Sequence, residues 1–465
     1  MSTYLYELPT TGAISFADFC TDHSAAKSYT AHITVATQQR ANLRAALKES
    51  KRTEGVERDY LKQVKVIDDY LPQLLGIMAC VAHDEVGLKE EPVFSWRTTL
   101  SSNVFRDSPR MNIPTLHGDL AFSLLTYAFL LSNHARAVVA PLGAYEHDRS
   151  ISDIERRAKD DKLNFAVSLL CRASGLFAHI SERVLVDWEA SRDGGAAGFV
   201  RPPDLHKDVV TALAKMALAD AQTLAIRKLL TRAANDSAVT PGPPLPRSHP
   251  SPSLLGKLHL ECAELYGTAR ALALTPGAAS KDAGGVAHAL RAYLNNETAM
   301  HTALAHKWLG IDAGENGGSD KGGEAVGWLT WAKKELEASR DASKGVKGIA
   351  IGKDEAKGLR KGRVADELAT VSLFLKHYKK TNDSVHFQPV PLQSELQSRI
   401  PAGRAAVAAK PYAPPLPAFG PGSIEHTRRQ AENVTLEEGV EHADRPPADR
   451  TTSEASNYSG AGSYY

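Results

Sequence analysis

The chain carries 465 residues, with 55 Lys and Arg against 54 Asp and Glu and a formal net charge of +1. Hydrophobic residues make up 43% and charged residues 23%, an ordinary globular composition in a chain long enough to bury a core without staples. That balance gives no general reason to expect nucleic acid or an acidic membrane as the main partner.

The N-terminal stretch MSTYLYELPTTGAISF has neither a basic head nor a long apolar run, so it is not read as a signal peptide. STYLYELPTT and the later PVFSWRTTLSS carry aromatics and Thr and are predicted as strand or extended chain. Elsewhere Ala, Leu, Lys and Glu dominate, and apolar residues recur every three or four positions. This spacing predicts helices near 21–52, 57–87, 115–140, 152–190, 205–234, 253–274, 281–309, 322–341 and 353–380. The run LAFSLLTYAFLLSNHARAVVA is the most apolar. Asn133, His134 and Arg136 interrupt it before about 20 apolar residues accumulate, which favours a buried helix over a membrane span. Ser152 with Glu155 has capping-box spacing, and Asp204 is expected to cap the helix starting near Leu205.

Three breaks interrupt the pattern. VTPGPPLPRSHPSPS (239–253) cannot be helix, because its prolines remove donors and restrict their neighbours. DAGENGGSDKGG (312–323) and ASKGVKGIAIGKDEAKG (342–358) are read as glycine-rich surface loops. Residues 1–424 are expected to form one helical domain, and 425–465, polar and acidic without an apolar period, a disordered tail. No self-similar repeat is visible. Long helices joined by loops still suggest hairpins stacked as a solenoid.

Chemistry is sparse. Cys20, Cys80, Cys171 and Cys262 lie far apart with no CxxC pair, which suits small buried hydrophobes in a reduced, intracellular chain. GVKGIAIGKD has the wrong spacing for a phosphate loop, with Asp354 where Ser or Thr must follow the lysine. There is no HExxH motif and no GxSxG elbow. His301 and His306 are five apart and diverge on a helix, so they are read as satisfied or exposed side chains rather than ligands of one metal. AHDEV (82–86) sits where a polar helix end is expected anyway. No catalytic residue, metal or cofactor is assigned. A cryptic hydrolase built from scattered His, Asp and Glu remains a remote alternative.

The helix opening SPSLLGKLHLECAELYG has more leucine than one stripe needs. Leu254, Leu255, Leu258, Cys262 and Leu265 span about 100° of a helical wheel, which one core face could absorb. The helix also begins directly after the proline break. Its first turn could stand clear of the stack, leaving Leu254 and Leu258 as anchors for an incoming amphipathic helix, with Lys257 at the rim. Both readings stay open on the sequence.

Four segments, in order, resemble one family: ASGLFAHISERVL (173–185), MALADAQTLAIRKLL (216–230), LLGKLHLECAELYGTA (254–269), and the closing KKTNDSVHFQPVPLQSELQSRIPAGRAAVAAKPYAPPLPAF (379–419). The family is the BRO-one domain family of ESCRT-associated scaffolds, which includes ALIX-like proteins. LPTTGAISF and PVFSWRTTL resemble its fungal ambient-pH signalling branch. The resemblance implies an elongated, curved all-α solenoid with a short N-terminal β or extended element. It also implies a concave surface that binds the C-terminal amphipathic helix of an ESCRT-III filament subunit. Its apolar contacts fall on Leu254, Leu258 and Leu375, and Ala225 stands where the family usually has a larger apolar residue. Arg404, in the closing segment, is expected to tie extended chain to a helix end through its fork. The implied role is a non-enzymatic adaptor in fungal pH signalling, partnered by ESCRT-III and other pathway components. The implied location is the cytoplasm, with peripheral recruitment to plasma membrane or endosome through partners. A sorting scaffold of the same family, without a pH role, is the alternative.

Overall fold

The structure, a computed structural model, describes residues 3–24, 26–52, 58–102, 108–148, 150–191, 199–239, 241–275, 285–342 and 353–432. An extended N-terminal strip leads into α1 (Phe16–Phe19), β1 (Cys20–Asp22), α2 (Thr30–Arg52) and α3 (Tyr60–Ala82). Then come β2 (Val86–Leu88), β3 (Val93–Arg97), β4 (Ser101–Ser102), β5 (Arg110–Pro114) and α4 (Leu116–Val139). α5 (Asp153–His179) continues through one π-helical turn (Ile180–Val184) into α6 (Leu185–Ala190). α7 (Lys207–Val239), α8 (Pro252–Ala273), β6 (Gly285–Val286), α9 (His288–Asn316), α10 (Gly322–Ala342), α11 (Lys353–Thr381) and α12 (Gln393–Gln397) complete the order.

The long helices pack in sequence: α2 on α3, α3 on α4, α4 on α5, α5 on α7, α7 on α8, α8 on α9, α9 on α10 and α10 on α11. This is an all-α stack of helical hairpins. Three short antiparallel pairs, β1 with β2, β3 with β5 and β4 with β6, decorate its N-terminal part. α4 is buried along almost its whole length. The polar residues that interrupt its apolar run have work in the interior. The buried Asn133 side chain accepts from Tyr6 N–H and donates to Tyr6 C=O, both at 2.9 Å, and Arg136 donates to Thr3 C=O. Together they lay the N-terminal strip along α4. Nearby, Arg40 of α2 forms a buried ion pair with Asp119 of α4 at 2.8 Å. Asp119 also accepts from Tyr70 Oη and Trp96 Nε1, each at 2.6 Å. Every charge in that cluster is matched, the condition under which a buried pair is tolerated.

Several expectations need correction. Asp204 caps no helix. It is fully buried and accepts from Thr99 N–H, Leu100 N–H and Ser101 Oγ, pinning the β4 region to the 3-10 turn (Pro203–Leu205) that leads into α7. The expected loop at 312–323 is mostly helix, because α9 runs through Asn316 and turns only at Gly317 and Gly318, the latter at φ 60°. The first expected helix starts at Thr30, since residues 20–22 pair as β1, and the second gives way to β2 after Ala82. In the tail, residues 424–432 are helical behind the buried cap Ser423, with Arg429 pairing Glu425 at i+4. Residues 433–465 lie outside the described residues, as does 343–352 of the expected 342–358 loop. Ser152 and Glu155 form the capping box that opens α5.

Past α11 the chain reverses. Asn382 donates to Gln388 C=O at 2.9 Å and accepts from its N–H at 3.2 Å. From there a closing strap runs back over the stack. Pro389 lies on Gly323 and Pro391 on Gly327 of α10, and Gly403 lies on Glu261 of α8. Gln222 of α7 holds Ala406 and Val407. Lys410 lies on Gly175 of α5, and Phe419 on Gly76 of α3. Phe419 also stacks on His32 of α2 at 4.6 Å. A Cβ at Gly175 would meet Lys410 C=O at 1.8 Å, and one at Gly323 would meet Pro389 C=O at 2.0 Å. Both crossings therefore require glycine, the residue that lets two backbones approach.

Candidate functional site

The residues the sequence singles out fall mainly on the face formed by α7 and α8, beside the strap. Pro252 occupies the first turn of α8, where its missing N–H costs nothing. Leu254, in that turn, is half-buried and packs against the edge of the core. Leu258, one turn later, is only 4% exposed and belongs to the core with Leu255, Cys262 and Leu265. The expectation that Leu258 stands bare is corrected: it lies in the core, and the strap crosses α8 on the neighbouring edge of the same turn. There Arg404 N–H donates to Lys257 C=O at 3.0 Å and Gly403 rests on Glu261.

Arg404 therefore meets the helix through its backbone. Its side chain is exposed, so the expected guanidinium fork is not what makes this tie. Lys257 is half-buried beside it. Ala225, three residues after the clamp Gln222, is half-buried on α7. Leu375 is also half-buried and packs on the core, but it sits on α11. α8 packs between α7 and α9, whereas α11 packs mainly on α10 and also touches α9, so Leu375 comes from a different helical pair than Leu254 and Ala225. Leu373, two residues earlier, is 42% exposed, and Gly242 of the proline break approaches it.

Beneath this face lies a buried polar layer that the sequence did not reveal. Asp220 of α7 accepts from Tyr266 Oη at 2.5 Å and Tyr293 Oη at 2.6 Å. Burial pushes its carboxyl up to about 7 against the help of the two hydroxyls. His301 Nδ1 lies 3.0 Å from His259 Nδ1, and its Nε2 lies 3.2 Å from Thr223 Oγ1. Burial lowers both imidazoles, His259 to about 3, so both are neutral. His306 points elsewhere, to Glu335 at 2.8 Å, so the two histidines diverge. The void beside Asp220 holds about 10 Å³, too small for any substrate. A larger cleft, about 520 Å³, lies under the strap among Asp68, Tyr127, Arg172 and Lys410.

The described residues form a helical stack strapped along its length, with a small half-open apolar patch at the start of α8. Sequence comparison names the family. The BRO1-like domain profile matches residues 20–431, and the chain belongs to that family. It is 36% identical over 506 residues to the pH-response regulator protein palC of Cryptococcus neoformans, covering all of both chains. It is 24% identical to the palC protein of Yarrowia lipolytica, covering all of this chain and 99% of that one. Among solved structures it resembles ALIX bound to the PYKEVTEDL late domain of SIVmac239, with TM-score 0.59 and 18% identity over 95% of this chain. It spans 57% of that ALIX chain. It also resembles the ALIX BRO1 domain in complex with CHMP4C, with TM-score 0.54 and 17% identity, covering 91% of this chain and 98% of that one. A Bro1 domain described for endosomal targeting superposes with TM-score 0.53 and 16% identity, over 88% of this chain and 94% of that one.

Proposed function

We propose that this chain is a non-enzymatic adaptor of fungal ambient-pH signalling that captures the C-terminal amphipathic helix of an ESCRT-III subunit on its α7–α8 face. Two similarities support the reading: full-length likeness to a pH-response regulator, and a shared fold with the ALIX BRO1 domain in its CHMP4C complex. Within the chain, one observation carries the site assignment. Leu254 stays half-exposed in the first turn of α8 while Leu255 and Leu258 are sealed. Leu254 supplies the anchor, Lys257 meets an acidic rim, and Ala225 makes the pocket shallower than a larger residue would. Recruitment brings the other pathway components within reach of one another at a membrane, which the protein reaches through its partners.

The test is titration of the full chain with that ESCRT-III helix. Leu254→Asp should abolish binding while the chain stays folded, with at most a small drop in melting temperature, and Ala225→Phe should tighten it several-fold. Normal binding by folded Leu254→Asp would remove the groove assignment. Growth at alkaline pH, compared with endosomal cargo sorting, separates pH signalling from a general sorting role.

A further inference from the structure

The N-terminal strip lies against the buried polar layer. Thr3, 8% exposed, lines the void of about 10 Å³ together with Asp220, Tyr293 and Arg363. Tyr4 leans on Tyr293 of α9 at 5.5 Å, and the buried Tyr6 stacks on Phe129 of α4 at 4.3 Å. Residues 3–10 belong to no helix or strand. At this end the strip is held by side chains of α4: Arg136 donates to Thr3 C=O, and Asn133 bonds both backbone groups of Tyr6.

The seat is imperfect. Thr3 Oγ1 is buried without a hydrogen-bond partner, and so is Tyr6 Oη. Across the void, Arg363 Nη1 donates to Glu297 at 3.0 Å, but its Nε and Nη2 are buried and unmatched. The two hydroxyl bonds to Asp220 both end on Oδ1. Buried polar atoms without partners all gain when water reaches them. A segment with no ladder of its own, fastened over such a seat, is the kind that opens locally while the rest of the fold stays shut.

The surrounding charges decide how that opening responds to protons. Arg136 from α4, Tyr6 from the strip, Cys262 and Tyr266 from α8, and Tyr293 and Glu297 from α9 act on Asp220. Arg363 from α11 reaches the same void. Burial raises Tyr6, Tyr266 and Tyr293 well above the usual phenol value and Cys262 to about 12, so all four stay protonated. Arg136 and Arg363 keep their charge. Among the described residues no Lys or Arg bonds Asp220, and burial pushes its carboxyl up to about 7.

We propose that residues 3–6 form a pH-sensitive plug: its release lets water reach Asp220, and it loosens as pH rises from acid toward neutrality. Opening sheds a proton wherever the open state is ionised and the closed state is not. An open carboxyl ionises near about 4 and the closed one near about 7, which sets the window. Within it the opening constant climbs by up to about tenfold per pH unit; above it both states are ionised and the curve is flat. His259 and His301, buried and neutral between α8 and α9, would give the opposite slope, with opening favoured as pH falls below about 6.5. The sign of the slope therefore tells the groups apart. None of this depends on what the α7–α8 face binds.

Amide hydrogen exchange of the full chain at pH 5.5, 6.5 and 8 tests the plug, with each rate divided by the intrinsic rate at that pH. The reporter is Tyr6 N–H, which donates to Asn133 Oδ1. Its opening constant should rise several-fold from pH 5.5 to 6.5 and level off by pH 8, while amides in the middle of α7 do not follow. Asp220→Asn, which keeps an acceptor for both tyrosines, should abolish the rise. Thr3→Val keeps the shape and removes the unmatched hydroxyl, so it should lower opening by one factor at all three pH values and leave the slope unchanged. Should Asp220→Asn fail to fold, the parent slope and the Thr3→Val offset still decide. A flat or inverted parent slope overturns the proposal, as does a rise that survives in Asp220→Asn or is shared equally by α7. Looser attachment in Thr3→Val also overturns it, because that hydroxyl would then be holding the strip down.

Discussion

Gln222 and Val407, 185 residues apart, exchange two hydrogen bonds: Gln222 Nε2 donates to Val407 C=O at 3.2 Å, and Val407 N–H donates to Gln222 Oε1 at 3.3 Å. Ala406 N–H adds a third bond, to the same oxygen, at 2.6 Å. One side-chain amide on α7 thus does for the strap what a neighbouring β-strand would do. It holds in register a segment with no secondary structure of its own.

Gln222→Ala should therefore loosen the strap before it harms the stack. Leaving the strap's polar groups unmatched costs on the order of 1–3 kcal/mol. Hydrogen exchange should show protection lost first at residues 403–410, with α7 and α8 still protected. Uniform loss along α7 would mean that Gln222 serves the helix instead.

Gly175→Ala should be far worse than an ordinary glycine replacement. The new Cβ would meet a backbone oxygen at 1.8 Å, so either the strap or α5 must move. Gly362→Ala is the control: nothing lies within 4 Å of a Cβ there, and the change should stabilise α11 by up to about 1 kcal/mol. Thermal melts of the two variants should shift in opposite directions.

Arg40→Leu removes the counter-charge of a fully buried carboxylate. Asp119 would keep Tyr70 and Trp96 as donors but lose its cation. A loss of about 3–5 kcal/mol in urea unfolding is expected. Adding Asp119→Leu should recover much of that loss, because the uncompensated charge goes with it.

The polar layer under α7 and α8 makes a signed prediction about pH. Lowered His259 and His301 are neutral in the fold, so their contribution is present above the unfolded imidazole value of about 6.5 and is lost as pH falls. Asp220 runs the other way. Its raised value of about 7 means that its contribution is full below the unfolded carboxyl value of about 4 and is lost as pH rises through 7. The two slopes oppose each other between these limits. In Asp220→Asn, which keeps the acceptor for both tyrosines, stability should climb more steeply from pH 5 to pH 7 than in the parent. Urea midpoints at the two pH values test this.

Leu258→Asp should unfold the chain, since that side chain lies in the core. Circular dichroism that stays native would show that Leu258 is reachable from outside after all.

What the sequence determined by itself was local or serial. Apolar spacing located the long helices, the Ser152 box marked the start of α5, and prolines kept 241–251 out of helix, because these signals act within a few residues. The expected break at 239–253 still loses Val239 to α7 and Pro252 and Ser253 to α8. The order of four segments also identified the family. Only the tertiary structure separated Leu258 from Leu254. The two share one helical stripe and one chemistry, so no periodicity can distinguish them; their difference depends on how α8 seats in the stack beside a strap about 150 residues further along the chain. The tasks of Asp204, Asn133, Gln222 and Gly175 were hidden for the same reason. Each is set by a backbone group that arrives from far away in sequence, and a local pattern carries no record of what will be packed against it.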